Sequence, residues 1–492
     1  MTTMWCTIGL DIGTTSIKAV AYHLTGEQIA EHTRHTETLH DEQGAAVQDA
    51  DAIYESVMDV FRATYQTATA KGYTLRAVGF STAMHSLMPL SATGDPLMLA
   101  MTWMDARPGH VAGALWQKDI GKDIYTHTGT PIHAMTPIAK LAWLRQAHPD
   151  IFQKAKRFAS IKEYVWFRWF GVWEIDYAMA SATGMFDIAH FKWYQKALDY
   201  AEVTTAQLSS PVPTNHLAKA PTDERFSQLG VPADVVFCIG GSDGVLSNLA
   251  GNATTPDTML LTVGTSLALR MGSAQPTVDV STRSFCYVLD RNHYIVGGPS
   301  NNGGIMLDWL YRNVLTQAGE DFDRRFPELC EAAGAVEADA LFCLPYVAGE
   351  RAPLWQESAT ASFLGLQLFH RQEHLFRAAI EGMLFNAYWI GERLIDQLGK
   401  PDKVIVSGRL FQTAWVLQHI ADLFGVEMHI QPDMDGATLG AVLLANQAAG
   451  LPEMSINRLS LQVVKPRMEE HRALQTRYRQ YRALCDRLLD ET

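Results

Sequence analysis

The sequence predicts an α/β protein made of two similarly built domains that face one another. Three observations carry this expectation. Apolar, β-branched runs alternate with helical patterns along the chain, as in layered α/β folds rather than sandwiches or bundles. The 492 residues exceed what a single hydrophobic core organises. A strand–turn–strand unit, Ile8-Gly9-Leu10-Asp11-Ile12-Gly13-Thr14-Thr15-Ser16, returns about 250 residues later as Leu260-Leu261-Thr262-Val263-Gly264-Thr265-Ser266.

Taken in chain order, the first half opens with strands at Thr7–Leu10 and Ile17–His23 on either side of the Gly-Thr turn. A helix follows over Ala50–Ala70, then a strand at Ala77–Ser81 and a helix over Ile138–Gln146. Val235–Gly240 is an apolar strand that runs into a helix-like stretch, Val245–Ala250. The small, polar segment Asn248–Asp257 sets the boundary, giving domains over 1–247 and 257–450. The second half carries strands at Met259–Val263, Phe285–Leu289, Tyr294–Val296, Val404–Val406 and Glu427–Ile430. Its helices fall at Gly304–Leu315, His374–Leu398 and Thr413–Phe424. Residues 451–492 read as a helical extension whose polar helix, Arg467–Leu489, alternates acidic and basic residues like a solvated face.

Composition narrows the function. With 40 Lys+Arg against 53 Asp+Glu the net charge is −13, which repels rather than neutralises the phosphates of a nucleic acid. A content of 47% hydrophobic and 19% charged residues is that of a soluble globular protein. No run approaches the roughly 20 apolar residues of a membrane span, since Tyr164–Trp173 is short and broken by Arg168. The N-terminus lacks the pattern of a signal peptide. The six cysteines show no CxxC and no clustering with histidine, which fits reduced thiols in the cytoplasm. His133, His127 and Asp123 have no metal-ligand spacing.

The chemistry gathers at three places. In Asp11–Ser16, Gly13 lets the backbone approach a ligand, while Thr14, Thr15 and the turn amides can donate to phosphate oxygens. Lys18 adds a cation, and Asp11 at the strand end can hold Mg²⁺ directly or through its waters. An ordinary hairpin would use these residues only on its own backbone, but the echo at Gly264-Thr265-Ser266 favours a phosphate clasp from two sides. No GxxxxGK[ST] and no GxGxxG is present. At Gly240-Gly241-Ser242-Asp243-Gly244 a strand delivers a glycine-flanked carboxylate that is placed to act as base on an acceptor hydroxyl, or else to cap the following helix. Met84-His85, Trp103-Met104-Asp105-Ala106-Arg107 and Lys162 supply an aromatic platform and hydrogen-bonding groups for a polyol.

With these residues in view, the sequence resembles the FGGY family of carbohydrate kinases, within the actin/hexokinase/Hsp70 ATPase superfamily. Met135–Leu144 is similar to the family's first signature, with Ala147 departing from the polar residue expected at its end. Ala361–Leu366 with His374–Glu381 is similar to the second. The resemblance covers about residues 5–450 and implies two actin-like (ribonuclease H-like) ATPase domains with a hinge and an interdomain cleft. It implies a kinase using ATP and Mg²⁺: Asp243 as base, Asp11 near the metal, and Gly13, Thr14, Thr15 and Lys18 on the phosphates opposite Gly264 and Thr265. Met84, His85, Trp103, Asp105, Arg107 and Lys162 would meet substrate. Gly304, Gly408 and Gln412 would surround ribose and adenine; there Ser407 replaces the first glycine of the family's usual pair. Within the family the texture is most similar to the branch that phosphorylates D-gluconate, with the pentulose kinases next. A gluconate site should present a cation to the carboxylate, with Lys162, Arg107 and His133 as candidates. The implied partner is a small sugar acid or sugar, with neither nucleic acid nor membrane. The oligomeric state stays open, a homodimer included. Rival readings are a non-catalytic actin-fold sugar sensor and an ATP-driven chaperone or filament protein.

Overall fold

The computed structural model describes residues 4–219, 221–315, 321–430, 435–454 and 462–489. Two mixed sheets organise it. The first contains β1 (Met4–Ile12), β2 (Ser16–His23), β3 (Gln28–His35), β4 (Tyr73–Thr82), β5 (Leu217–Lys219) and β6 (Val236–Ser242), in the order β5-β6-β4-β1-β2-β3. The second contains β7 (Thr258–Val263), β8 (Leu267–Ser273), β9 (Phe285–Val288), β10 (Tyr294–Ser300), β11 (Lys403–Ser407), β12 (Glu427–Ile430) and β13 (Val463–Val464), in the order β9-β10-β8-β7-β11-β12-β13.

The short sequence echo marks a repeat of topology. In each sheet a hairpin (β1–β2, β7–β8) is extended by a third antiparallel strand on one side. On the other side two parallel strands follow, β4 and β6 in the first sheet and β11 and β12 in the second. The predicted strands and helices all appear, with ends shifted by a few residues. The strand expected at Tyr294–Val296 is prolonged by the ladder with β8 to Ser300, and the one expected at Ala77–Ser81 starts earlier, at Tyr73.

Helices cover the sheets with their apolar sides. From the first half come α1 (Ala50–Ala70), α2 (Pro137–Ala147), α3 (Ile161–Phe170) and α4 (Asp243–Ala250); from the second α5 (Gly304–Leu310), α6 (Gln372–Leu398), α7 (Ala414–Phe424), α8 (Gly436–Ala448) and α9 (Met468–Leu489). Asp49 starts α1 by accepting from Asp51 N and Ala52 N. One core joins Ile8, Leu10, Val78 and Phe80 with Phe61, Trp166 and Trp169. The other joins Leu261, Leu269, Val296 and Val406 with Met383, Leu384 and Leu417. The predicted helix Gly304–Leu315 continues past α5 as a wider π turn over Tyr311–Leu315.

Two findings differ from the sequence expectation. The boundary after residue 247 falls inside α4, which runs to Ala250. The α8 helix, drawn from the second half, packs on the first sheet: Thr7 Oγ1 donates to Asn446 Oδ1 at 2.6 Å, and a Cβ on Gly79 would stand 2.1 Å from the Ala441 carbonyl oxygen. Second, α9 is more than a solvated extension. Tyr478, Tyr481 and Cys485 are buried, Tyr481 hydroxyl meets Tyr346 hydroxyl at 2.9 Å, and Arg477 pairs with Glu381 at 2.9 Å. Charge alternation shows only the wet side of such a helix. Within the 451–492 extension, residues 455–461 and 490–492 lie outside the described residues.

Candidate functional site

Each sheet offers its repeated hairpin to a cleft between the halves. Gly13 N donates to Ser16 O at 3.0 Å, and Gly264 N to Ser266 O at 2.8 Å, so each loop closes on itself through its glycine amide, the first over four residues and the second over three. Thr15, Gly264 and Thr265 are exposed at the tips. Thr14 is held from behind: its carbonyl accepts from Thr36 Oγ1 at 2.5 Å and Gln48 Nε2 at 2.7 Å, and its hydroxyl accepts from Trp103 Nε1 at 3.0 Å. The second loop is tied to the start of α5 by Gly304 N to Gly264 O at 2.7 Å and Gly303 N to Thr265 O at 3.2 Å.

Lys18 lies opposite Asp11 in the β1–β2 register and reaches Asp435 at 3.2 Å and Glu31 at 3.6 Å. It thus links the first hairpin to the N-terminus of α8, where Asp435 caps by accepting from Thr438 N. Asp11 accepts from Ser81 Oγ at 2.7 Å. Burial, together with the Asp243 and Asp435 carboxylates, pushes its carboxyl up to about 7. A buried carboxyl crowded by other carboxylates fits a divalent cation, and a Mg²⁺ ion bound mainly through phosphates needs only one or two protein carboxylates. Among the described residues no cluster of three or more potential ligands is present.

This raised value has a consequence for stability. An acid whose folded value lies above its unfolded one favours the folded state in its protonated form, and that contribution is lost as pH rises towards about 7. In metal-free buffer, Asp11→Asn is expected to gain in melting temperature over the natural protein as pH goes from 5 to 8. A constant difference across that range, measured by thermal unfolding, would remove the electrostatic burden assigned to Asp11.

Asp243 stands at the first turn of α4, but the cap is Ser242, whose hydroxyl accepts from Val245 N at 3.4 Å. The carboxylate is therefore spared the capping duty; its own hydrogen bond is from Gly244 N at 2.6 Å. A register shift between Cys238 and Gly241, with Gly240 at φ +69°, turns the strand end so that Asp243 faces the cleft. A Cβ at Gly240 would stand 1.7 Å from Phe80 O, so only glycine fits there. Burial raises the Asp243 carboxyl, and the Arg270 guanidinium works against that rise.

Asp243 opens into a chamber of about 290 Å³ lined also by Thr14, Thr15, Met84, His85, Trp103 and residues of the second sheet. A second chamber of about 480 Å³, sharing Thr15, Trp103, Ser266 and Arg351, extends past Asp105, His133, Thr265 and Glu357. His85 adopts φ +71°. Its Nδ1 donates to Ala182 O at 2.9 Å, which leaves Nε2 to accept from Tyr287 hydroxyl at 3.4 Å. Burial, with Lys140 nearby, pushes its pKa down to about 3, so it is a neutral hydrogen-bonding wall.

The structure brings Asp243, Thr14, Thr15, Met84, His85 and Trp103 to one chamber, and Thr265 and Asp105 to its neighbour. It does not bring Arg107 or Lys162 to either wall. Arg107 pairs with Asp105 at 2.5 Å and lies over Trp143. Lys162 is buried against Asp176 at 2.6 Å and Gly241 O at 3.4 Å, where it supports the Asp243 turn from behind. His133 faces Glu357 at 3.5 Å, its pKa pushed down to about 3 by burial. At the expected nucleoside end, Gly408 has φ +122° and a Cβ there would meet Val263 O at 2.0 Å, whereas Ser407 is an ordinary strand residue paired with Thr262. Gln412 sits in the short helical turn Arg409–Gln412 that follows, whose Arg409 pairs with Asp323.

Three groups escaped sequence reasoning. Arg270 and Arg351 both line the Asp243 chamber. Arg270 is the lone charge in the apolar strand Leu267–Met271, which was a usable signal. Lys140, inside the first signature stretch, is buried and donates to His85 O at 2.5 Å and Thr102 O at 2.7 Å, pinning two wall segments together. Nothing in its helical spacing points to that.

A cleft between two repeats of this sheet topology is that of a two-domain, actin-like phosphotransferase. The chain belongs to the FGGY family of carbohydrate kinases: the model for the family's N-terminal domain matches residues 6–250 and that for its C-terminal domain residues 259–449. It is 35% identical over 450 residues to a gluconokinase from Bacillus licheniformis, covering 90% of this chain and 87% of that one. Two solved structures from Lactobacillus acidophilus, a gluconate kinase and a ligand-bound xylulose kinase, are each 31% identical with a TM-score of 0.91. The match spans 99% of this chain and 98% of the gluconate kinase, and 98% of both chains for the xylulose kinase.

Proposed function

We propose that the protein is a gluconokinase, which transfers the γ-phosphoryl group of ATP to the 6-hydroxyl of D-gluconate and releases 6-phosphogluconate and ADP. One observation carries the choice of an acidic substrate: besides the base Asp243, the acceptor chamber presents two arginines, Arg270 and Arg351, and among the described residues no second acid lines it. The likeness to the B. licheniformis gluconokinase supports the same reading.

In the reaction, Thr14, Thr15 and Thr265 with their loop amides hold the triphosphate from two sides. Asp243 takes the proton of O6 as that oxygen bonds to the γ-phosphorus and the bond from phosphorus to the β–γ bridging oxygen breaks, leaving ADP. Asp11 would hold Mg²⁺, which when bound offsets the negative charge of the phosphates. Met84, His85 and Trp103 shape the polyol site, and Gly304, Gly408 and Gln412 the nucleoside site. Closure of the halves excludes water, which would otherwise take the phosphoryl group. We place the enzyme in the cytoplasm, where ATP is at hand and its six buried thiols stay reduced.

The equal likeness to the L. acidophilus xylulose kinase favours a pentulose as the second reading. Release of ADP with gluconate, xylulose, ribulose and glycerol separates them. Gluconate is expected to give the highest kcat/KM, and a preference for xylulose would replace the proposal by that reading.

A further inference from the structure

A cation on an interior strand face calls for a counter-charge. β8 alternates: Leu269 and Met271 belong to the second core, Ala268 and Arg270 to the wall of the Asp243 chamber, and Leu267 at the strand start borders both. Ala268, Phe285, Tyr287 and Pro299 surround Arg270 in the chamber; Asp243 is near enough to act on its charge without an ion pair within 4 Å, and Arg351 adds a second cation to the same wall. A Cβ on Gly244 would stand 3.1 Å from Arg270 Nε, so the guanidinium lies against the first turn of α4, and the bare glycine makes room for it.

The partners of the nearby cations separate their duties. Lys162 is neutralised by Asp176, and Arg107 by Asp105. Arg351 donates from Nε to Asn301 Oδ1 at 2.7 Å and from its terminal nitrogens to Ser300 O at 3.4 Å and Met135 Sδ at 3.9 Å, with its backbone neighbour Glu350 buried beside it. Arg270 has no such set: among the described residues it makes no hydrogen bond and no ion pair within 4 Å. Its guanidinium lines the chamber with no direct acceptor of its own, Asp243 acting on it only at longer range. Leaving a guanidinium half-desolvated without an acceptor costs stability, and an anion held bidentately by its fork recovers that cost on binding.

We propose that Arg270 binds the carboxylate of the sugar acid and is the residue that selects an acid over a neutral polyol of the same length. This rests on the gluconokinase reading. Arg270 here touches substrate; Arg351, whose donors are engaged, shapes the wall beside it. The sugar acid then lies in the chamber with its carboxylate at Arg270 and its reacting hydroxyl at Asp243, and Tyr287, paired with His85, lines the same chamber.

The experiment compares the natural protein with Arg270→Gln and Arg270→Lys. Equilibrium titration measures the affinities for D-gluconate and for D-glucitol, the matched alcohol without the carboxylate, and ADP release gives the KM for ATP. The natural protein is expected to prefer gluconate. Arg270→Gln is expected to reduce the gluconate-to-glucitol affinity ratio by about 10- to 100-fold, the range for a charge-assisted pair, with the KM for ATP moved far less; Arg270→Lys should restore part of the ratio. Equal weakening of both polyols, or a rise mainly in the KM for ATP, overturns the assignment while leaving the enzyme a gluconokinase. If the natural protein binds glucitol as well as gluconate and turns over a neutral sugar better, the gluconokinase reading falls first, visibly in the unmutated protein. Thermal unfolding confirms that the compared variants are folded; should Arg270→Gln fail to fold, the ratio is read from Arg270→Lys, where an unchanged value overturns the proposal.

Discussion

Asp243→Asn should leave a folded protein that binds nucleotide and lowers kcat by about 10²- to 10⁴-fold, the contribution of a positioned general base. The expectation follows from what Asp243 is relieved of. Ser242 caps α4, and among the described residues the hydrogen bond to the Asp243 side chain comes from Gly244 N, an acceptor role that an amide oxygen can keep. Asparagine is nearly isosteric, so packing against the chamber is preserved while the proton acceptor is lost. Burial raises the natural carboxyl, which strengthens it as a proton acceptor, and Arg270 works against that rise. Steady-state ADP release and nucleotide titration of the same preparation test this. Near-normal turnover would remove Asp243 as base; loss of nucleotide binding along with turnover would show that its role is structural.

Gly79→Val should destabilise the protein by about 3 kcal/mol or more, beyond the usual cost of an overpacked core. Gly79 sits in the middle of β4, and its missing side chain is filled by the backbone of α8, with Ala441 O at 2.1 Å from an ideal Cβ. Gly9 on β1 meets Thr438 O at 2.3 Å in the same sense, and Gly440 on α8 meets Leu246 O of α4 at 2.1 Å. Backbone rests on backbone at three points, so no rotamer change can make room. The consequence reaches the site, because α8 begins at Asp435, the partner of Lys18 beside Asp11. The midpoint of urea unfolding should fall, with Gly79→Ala intermediate, and residual activity should fall with it. Wild-type stability for the valine variant would mean that α8 can move away from the sheet at little cost.

Much of the site was open to inspection before the fold was known. Gly13-Thr14-Thr15 and Gly264-Thr265-Ser266 are local structures: three-residue loops between apolar strands, fixed by glycine and by alternation, so they stand in the sequence as hairpins. Asp243 was legible for the same reason, as a carboxylate set between glycines at a strand end. Lys162 and Arg107 were misleading as candidate substrate cations because a charge carries no mark of its partner. Asp176 and Asp105 occupy them, and only the packed structure shows it. Arg270 was visible as an oddity in an apolar strand but gained meaning only when its alternation face proved to be the chamber wall.

The sequence by itself determined the two-fold repeat, the two glycine–threonine hairpins and the family, because each depends on residues within a few positions of one another. Tertiary structure decided which groups meet across the cleft, and that a helix from the second half serves as the floor of the first sheet. Pairings of that kind join residues hundreds of positions apart, such as Thr7 with Asn446, and arise from close packing and charge compensation that no local spacing encodes.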